Sequence, residues 1–191
     1  ERSTTPNPGI LQLQGGLALY EAIAAFSQTS EMQVLKWPND VLLSIEGELR
    51  KVGGILVEGL SCGKDTRVIL GIGCNISSKE FQKEKYSIAT LQELNPEITL
   101  SRFQPVIQAA VASWFEQKRG LKDLNVKSIV TRYSSTFSNG IKSLGNPVYR
   151  KMTMSFEQVE NDGQITLQDQ MEKNHLIGDG EDITWTNYAH N

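Results

Sequence analysis

An α+β fold is predicted for this chain: a mixed sheet with packed helices, followed by a small antiparallel β-barrel. Three observations predict it. Short apolar runs separated by tight turns fill residues 32–76. Three- and four-residue apolar spacing dominates 101–137, and short strands with turn residues between them return after 140. With 191 residues, 39% hydrophobic and 21% charged, the chain has the apolar content for one large domain or a medium domain with a small appendage.

The elements follow in order. Leu11, Leu13, Leu17, Leu19, Ile23, Ala24 and Phe26 recur at mostly helical spacing and place a helix over about 12–28. Gly15 and Gly16 let it pack closely, at some cost in propensity. Strands are expected at about 32–36, 41–45 and 52–60, the last two joined by the polar turn Glu46 to Leu49. Gly63-Lys64-Asp65 then turns into a β-rich run from Arg67 to Ile76. After Ile88 to Leu91 and a turn at Asn95-Pro96, Ser101 reads as the cap of an amphipathic helix over about 101–119. Phe103, Val106, Ile107, Ala110, Val111 and Trp114 lie along it, and Gly120 ends it. A second helix is expected over 125–137, with Val126, Ile129, Val130, Tyr133 and Phe137 on one face. After Asn139-Gly140, Val148 to Val159 reads as one loosely alternating strand. Asn161-Asp162-Gly163 makes a hairpin turn into Gln164 to Gln168, and Gly178-Asp179-Gly180 leads into Ile183 to Thr186. The division expected is 1–137 for the first domain and 140–188 for the barrel.

Composition excludes several classes of function. A net charge of −3 and a pI near 5.5 argue against a nucleic-acid-binding face. No apolar run is long enough to span a bilayer, and the first residues lack the basic head and apolar core of a secretory signal. The expected compartment is cytoplasmic or organellar. Cys62 and Cys74 read as reduced small hydrophobes. With His175 and His190 the only histidines, no metal-ligand spacing arises, so no residue is assigned to a metal. A catalytic triad and a phosphate-binding P-loop are equally unsupported.

The chemistry concentrates at Lys36-Trp37-Pro38-Asn39-Asp40, a proline-set turn between buried strands. Lys36 suits a stem packed on Trp37, or a point charge holding a carboxylate or phosphate. Asn39 and Asp40 suit local backbone satisfaction; Asp40 also suits indirect Mg²⁺ binding or orientation of Lys36. Lys51 with Gly53 and Gly54 lets a phosphate approach the backbone beside a cation. Gly71, Gly73 and Asn75 form G-x-G-x-N, which alone is weak evidence for a nucleotide.

Taken jointly, these segments resemble the biotin–protein ligase family, the biotin–acetyl-CoA-carboxylase ligases. K-W-P-N-D stands complete at Lys36 to Asp40. K-x-[AG]-G-I-L-x-E stands at Lys51, Gly53, Gly54, Ile55, Leu56 and Glu58, and G-x-G-x-N at Gly71, Gly73 and Asn75. The resemblance implies a class II synthetase-like catalytic sheet with an SH3-like C-terminal barrel. It implies ATP, biotin and Mg²⁺ as small molecules, biotinyl-5′-AMP as intermediate, and transfer of biotin to a lysine of a biotin carboxyl carrier protein. Lys36 would contact the biotin carboxylate and acyl-adenylate, and Asp40 would position a metal or the carrier lysine. Lys51 would contact phosphate, and Asn75 would bind adenine where Gly71 and Gly73 leave room. Asn39, Gly53 and Gly54 fall in the same cofactor-binding set.

The family's glycine–arginine loop over biotin has no counterpart after Glu1, and Arg2 lacks the flanking glycines. The chain is therefore expected to be a fragment or processed form, or a non-catalytic remnant that binds a carrier or nucleotide. A lipoate–protein ligase-like enzyme is the other alternative, against which K-W-P-N-D with G-I-L-x-E favours biotin. A homodimer is left open; no membrane or nucleic-acid partner is expected.

Overall fold

The computed structural model of the protein describes residues 7–27, 33–62, 65–77, 88–115 and 125–188, with backbone only at 61–62 and 65–66. Helix α1 (Pro8–Ala24) starts earlier than its apolar spacing predicts, because Asn7 caps it. The Asn7 side chain accepts from the N–H groups of Gly9 at 2.8 Å and Ile10 at 3.3 Å. Pro8 costs nothing in the first turn, where an N–H has no helical partner. The helix is buried along nearly its whole length, from Ile10 to Ile23. It lies between the sheet and helix α3, and Gly15 makes the sheet contact possible: a Cβ there would sit 3.0 Å from the Ile55 side chain.

Strands β1 (Gln33–Lys36), β2 (Asp40–Ile45), β3 (Glu48–Cys62) and β4 (Asp65–Cys74) form one sheet in that order. Every pairing between these strands is antiparallel, and an isolated bridge between Lys51 and Ile88 is parallel. β3 begins sooner than expected. Glu46 and Gly47, both at positive φ, close the turn by themselves, so Glu48 and Leu49 pair with Ile45 and Ser44. A bulge between Val41 and Leu42 of β2 inserts Val52 as an extra residue on the β3 side.

Helix α2 (Leu91–Leu94) is a single turn with a capping box from Thr90 and Glu93. Helix α3 (Leu100–Phe115) is capped by Thr99, whose hydroxyl accepts from the Arg102 N–H, and not by Ser101, which lies inside the helix. The expected end near Gly120 falls outside the described residues. Helix α4 (Val126–Leu144) does not stop at 137. Asn139-Gly140, which reads as a breaker, is helical because Gly140 packs on β1: a Cβ there would meet Val34 Cγ1 at 3.0 Å. The helix ends at Gly145, with φ 78°.

The C-terminal region is two three-stranded antiparallel sheets. Its strands are β5 (Pro147–Tyr149), β6 (Met152–Thr153), β7 (Ser155–Val159), β8 (Ile165–Gln168), β9 (Asn174–Ile177) and β10 (Ile183–Trp185), ordered β10-β5-β6 and β7-β8-β9. The single strand expected over 148–159 is three strands, broken where Arg150 and Lys151 take positive φ. β9 has no strand pattern of its own and forms by pairing with β8. Phe137 of α4 meets Phe156 and Trp185 edge-on at centroid distances of 4.9 and 5.8 Å, so one hydrophobic core runs from α1 into these sheets. Among the described residues no helix is long and apolar enough to cross a membrane.

Candidate functional site

The sheet's two faces differ. α1 covers one. On the other, the β1–β2 turn gathers the charged residues. Lys36 and Asp40, at the facing ends of β1 and β2, pair across the turn, Nζ to Oδ2 at 3.4 Å, and both side chains are buried. Lys51 contacts the other oxygen of Asp40, Nζ to Oδ1 at 2.5 Å, and is itself 41% exposed. The bulge at Val52 explains this convergence. An unbroken β3 would send Lys51 and Gly54 to opposite faces, by the period of two. The extra residue lets both approach Asp40: a Cβ on Gly54 would sit 3.0 Å from Asp40 Oδ1 and 3.3 Å from Lys51 Cε. Two ammonium groups share one carboxylate, leaving one net positive charge for an anion.

Burial pushes the Lys36 pKa below the ordinary lysine value; attraction to Asp40 and the hydrogen bond that Lys36 donates to it oppose the shift, and the Lys51 charge adds to it. Tyr188 is pushed up to about 12, by burial first and by the Asp40 carboxylate second. Tyr133 is raised by the same two causes in the same order.

The other sequence-predicted residues divide into floor and frame. Gly71 and Gly73 lie opposite Leu56 and Gly54, and a Cβ at either would meet nothing nearer than 3.6 Å, so they leave open space. Gly53 is frame. A Cβ there would collide with the Gly73 carbonyl at 2.5 Å and press Leu19 of α1 at 3.0 Å, on the face away from the charges. Asn39 is also frame: its Nδ2 donates to the Ile55 carbonyl at 3.2 Å, and its own carbonyl accepts from the Ile55 N–H at 2.8 Å. Asn75 spends its Nδ2 hydrogens on the carbonyls of Lys51 (3.3 Å) and Ala89 (3.2 Å), so Oδ1 is the atom left to accept.

Sequence reasoning missed what the C-terminal region contributes. The Tyr188 ring lies 5.8 Å from Lys36 Nζ. The Trp37 indole donates to the Gly163 carbonyl at 2.9 Å, and Pro38 fits against Gly180, where a Cβ would clash. Separations of well over a hundred residues leave no local signal for such contacts.

The segment that carries Lys36, Asp40, Lys51 and Asn75, residues 1–75, matches the model of the Biotin/lipoate A/B protein ligase family. The fold is that of biotin protein ligases. The biotin protein ligase from Aquifex aeolicus in complex with biotin and ATP superposes with a TM-score of 0.70 at 22% identity, over 95% of this chain and 72% of that one. Another structure of the Aquifex aeolicus ligase gives 0.68 at 20%, over 94% and 75%. A biotin protein ligase-like protein of unknown function from Silicibacter sp. gives 0.61 at 13%, over 90% and 72%. No curated protein sequence matches the chain.

Proposed function

We propose that this protein is an ATP-dependent biotin–protein ligase. The observation that carries the reading is the sharing of Asp40 between Lys36 and Lys51 on the open sheet face, beside the floor made by Gly54, Gly71 and Gly73. In the first step the biotin carboxylate attacks the α-phosphorus of ATP; a C–O–P linkage forms and pyrophosphate leaves. Carboxylate and phosphate repel one another, and a net positive cluster offsets that repulsion as charge develops. In the second step the neutral amine of a carrier lysine attacks the acyl carbon and AMP departs. Asn75 Oδ1 is suited to accept from the exocyclic amino group of adenine, with the two glycines leaving room for the base.

Among the described residues no group of three His, Cys, Asp or Glu side chains gathers, and Asp40 is engaged by two lysines. Magnesium would enter with the nucleotide's phosphates.

The test is pyrophosphate release by the chain with ATP, Mg²⁺ and biotin, followed by transfer of labelled biotin to a carrier domain. Biotin-dependent release is expected, reduced about 10²–10³-fold in Lys36→Ala, as for loss of a preorganised charge at a transition state. No biotin-dependent release at saturating substrates, or an unaffected Lys36→Ala variant, would refute the reading. Because the matching family spans biotin and lipoate ligases, lipoate belongs in the same assay. Preference for lipoate over biotin would move the substrate assignment and leave the adenylating chemistry in place.

A further inference from the structure

We infer that Tyr188, at the far end of the chain, is a positioning residue that holds the Lys36 ammonium over the candidate site. A lysine carries its charge on a flexible four-carbon stem, so fixing the ammonium at one point requires contacts from more than one side. Lys36 has two. Asp40 lies at 3.4 Å, and the face of Tyr188 at 5.8 Å lies within the range where a ring quadrupole attracts a cation.

Both sides of the contact are anchored. On the tyrosine side, the turn after β10 is tied to the end of α4. The N–H groups of Asn187 and Thr186 donate to the carbonyls of Leu144 and Asn146 at 3.0 and 3.1 Å, the Asn146 N–H donates to the Thr186 hydroxyl at 2.9 Å, and the Tyr188 N–H returns to the Trp185 carbonyl at 3.1 Å. On the lysine side, Trp37 is tied to Gly163 and Pro38 rests against Gly180. The ring is itself buried. The C-terminal region therefore holds the turn through Gly163 and Gly180 and reaches the Lys36 ammonium through the Tyr188 ring. Removing that ring frees Lys36 to swing on its stem, whereas removing only the hydroxyl leaves the cation–ring contact.

The inference rests on the functional reading only for what Lys36 holds; the contact is tested apart from it. In the full chain with isotope-labelled lysine, the Lys36 ε-methylene signal is identified by its loss in Lys36→Arg. A nuclear Overhauser effect to the Tyr188 ring and an upfield ring-current shift are expected in the unmodified protein and need no variant. Tyr188→Phe should keep the shift and Tyr188→Leu should abolish it. With AMP as probe, Tyr188→Leu should weaken affinity about 5–20-fold and Tyr188→Phe should not. Adding Tyr188→Leu to Lys36→Ala should cost nothing more, because the ring acts through the lysine.

Absence of the Overhauser effect, or a Lys36 signal unmoved in folded Tyr188→Leu, would overturn the inference, and so would additive losses in the double variant. If AMP does not bind the unmodified protein, the adenylate reading fails and the Lys36 resonance alone decides the role of Tyr188.

Discussion

The two faces of the four-stranded sheet obey different rules, although the same strands build both. On the inner face, a Cβ on Gly15 would meet the Ile55 and Leu70 side chains at 3.0 and 3.1 Å, and one on Gly53 would collide with the Gly73 carbonyl, so neither position has room for a side chain. On the open face, Gly71 and Gly73 border space, Leu56 and Ile69 are largely exposed, and the buried charges stand at the end where the β1–β2 turn closes. Gly15 and Gly53 mark contact already made, whereas Gly71 and Gly73 mark contact left available. Period-two alternation separates the two sets, and the bulge at Val52 is where the chain departs from it to bring Lys51 round to Asp40.

Four changes break or sharpen this contrast. The largest effect is expected at Asp40, because Asp40→Ala leaves Lys36 buried without its counter-charge. Breaking one side of a buried pair costs about 3–5 kcal/mol, read as a lower urea midpoint. The double variant Asp40→Ala with Lys36→Met should recover part of it; no recovery would mean that Asp40 stabilises by another route. Next comes Leu19→Ala on the inner face, expected to cost about 2–5 kcal/mol for a fully buried leucine. AMP affinity under native conditions should not change, and a parallel loss of affinity would show that the two faces are coupled. Gly53→Ala should cost about 1–3 kcal/mol by overpacking against the Gly73 backbone. Gly71→Ala, with space before it, should leave stability nearly unchanged while weakening adenylate binding.

The smallest effect concerns pH. Lys36 titrates below the usual lysine value of 10.5, so the folded chain holds this proton less tightly than the unfolded chain. Stability from this group therefore rises with pH between its lowered value and 10.5, since the unfolded state binds more protons there. Anion binding runs the other way. AMP affinity should fall as pH climbs through that lowered value, by up to about tenfold per unit as the ammonium is lost. Lys36→Arg, charged throughout, should flatten the profile; a fall of equal size in that variant would assign the titration to another group.

Much of this was legible along the chain. Lys36 to Asp40 read as a turn because Pro38-Asn39-Asp40 interrupts two apolar runs, and the strands on either side are where those runs put them. Gly71 and Gly73 read as glycines where a ligand approaches closely, and a Cβ at either would meet nothing nearer than 3.6 Å. The departures have different causes. Gly140 reads as a breaker, but it is helical because it packs on Val34, distant in sequence. Ser101 lost the cap to Thr99, which sits where the helix actually begins. The strand over 148–159 broke because Arg150 and Lys151 reverse the chain without glycine.

By itself, then, the sequence determined the α+β class, the position of the β1–β2 turn and the residues that bear charge there. Those follow from local preference and periodicity, which act over a few residues. Only the tertiary structure decided which charges share a carboxylate, which glycines are floor and which are frame, and that Tyr188 faces Lys36. Such contacts depend on register, a single-residue bulge and the docking of the C-terminal sheets on α4, and no local pattern encodes a distance between residues that far apart.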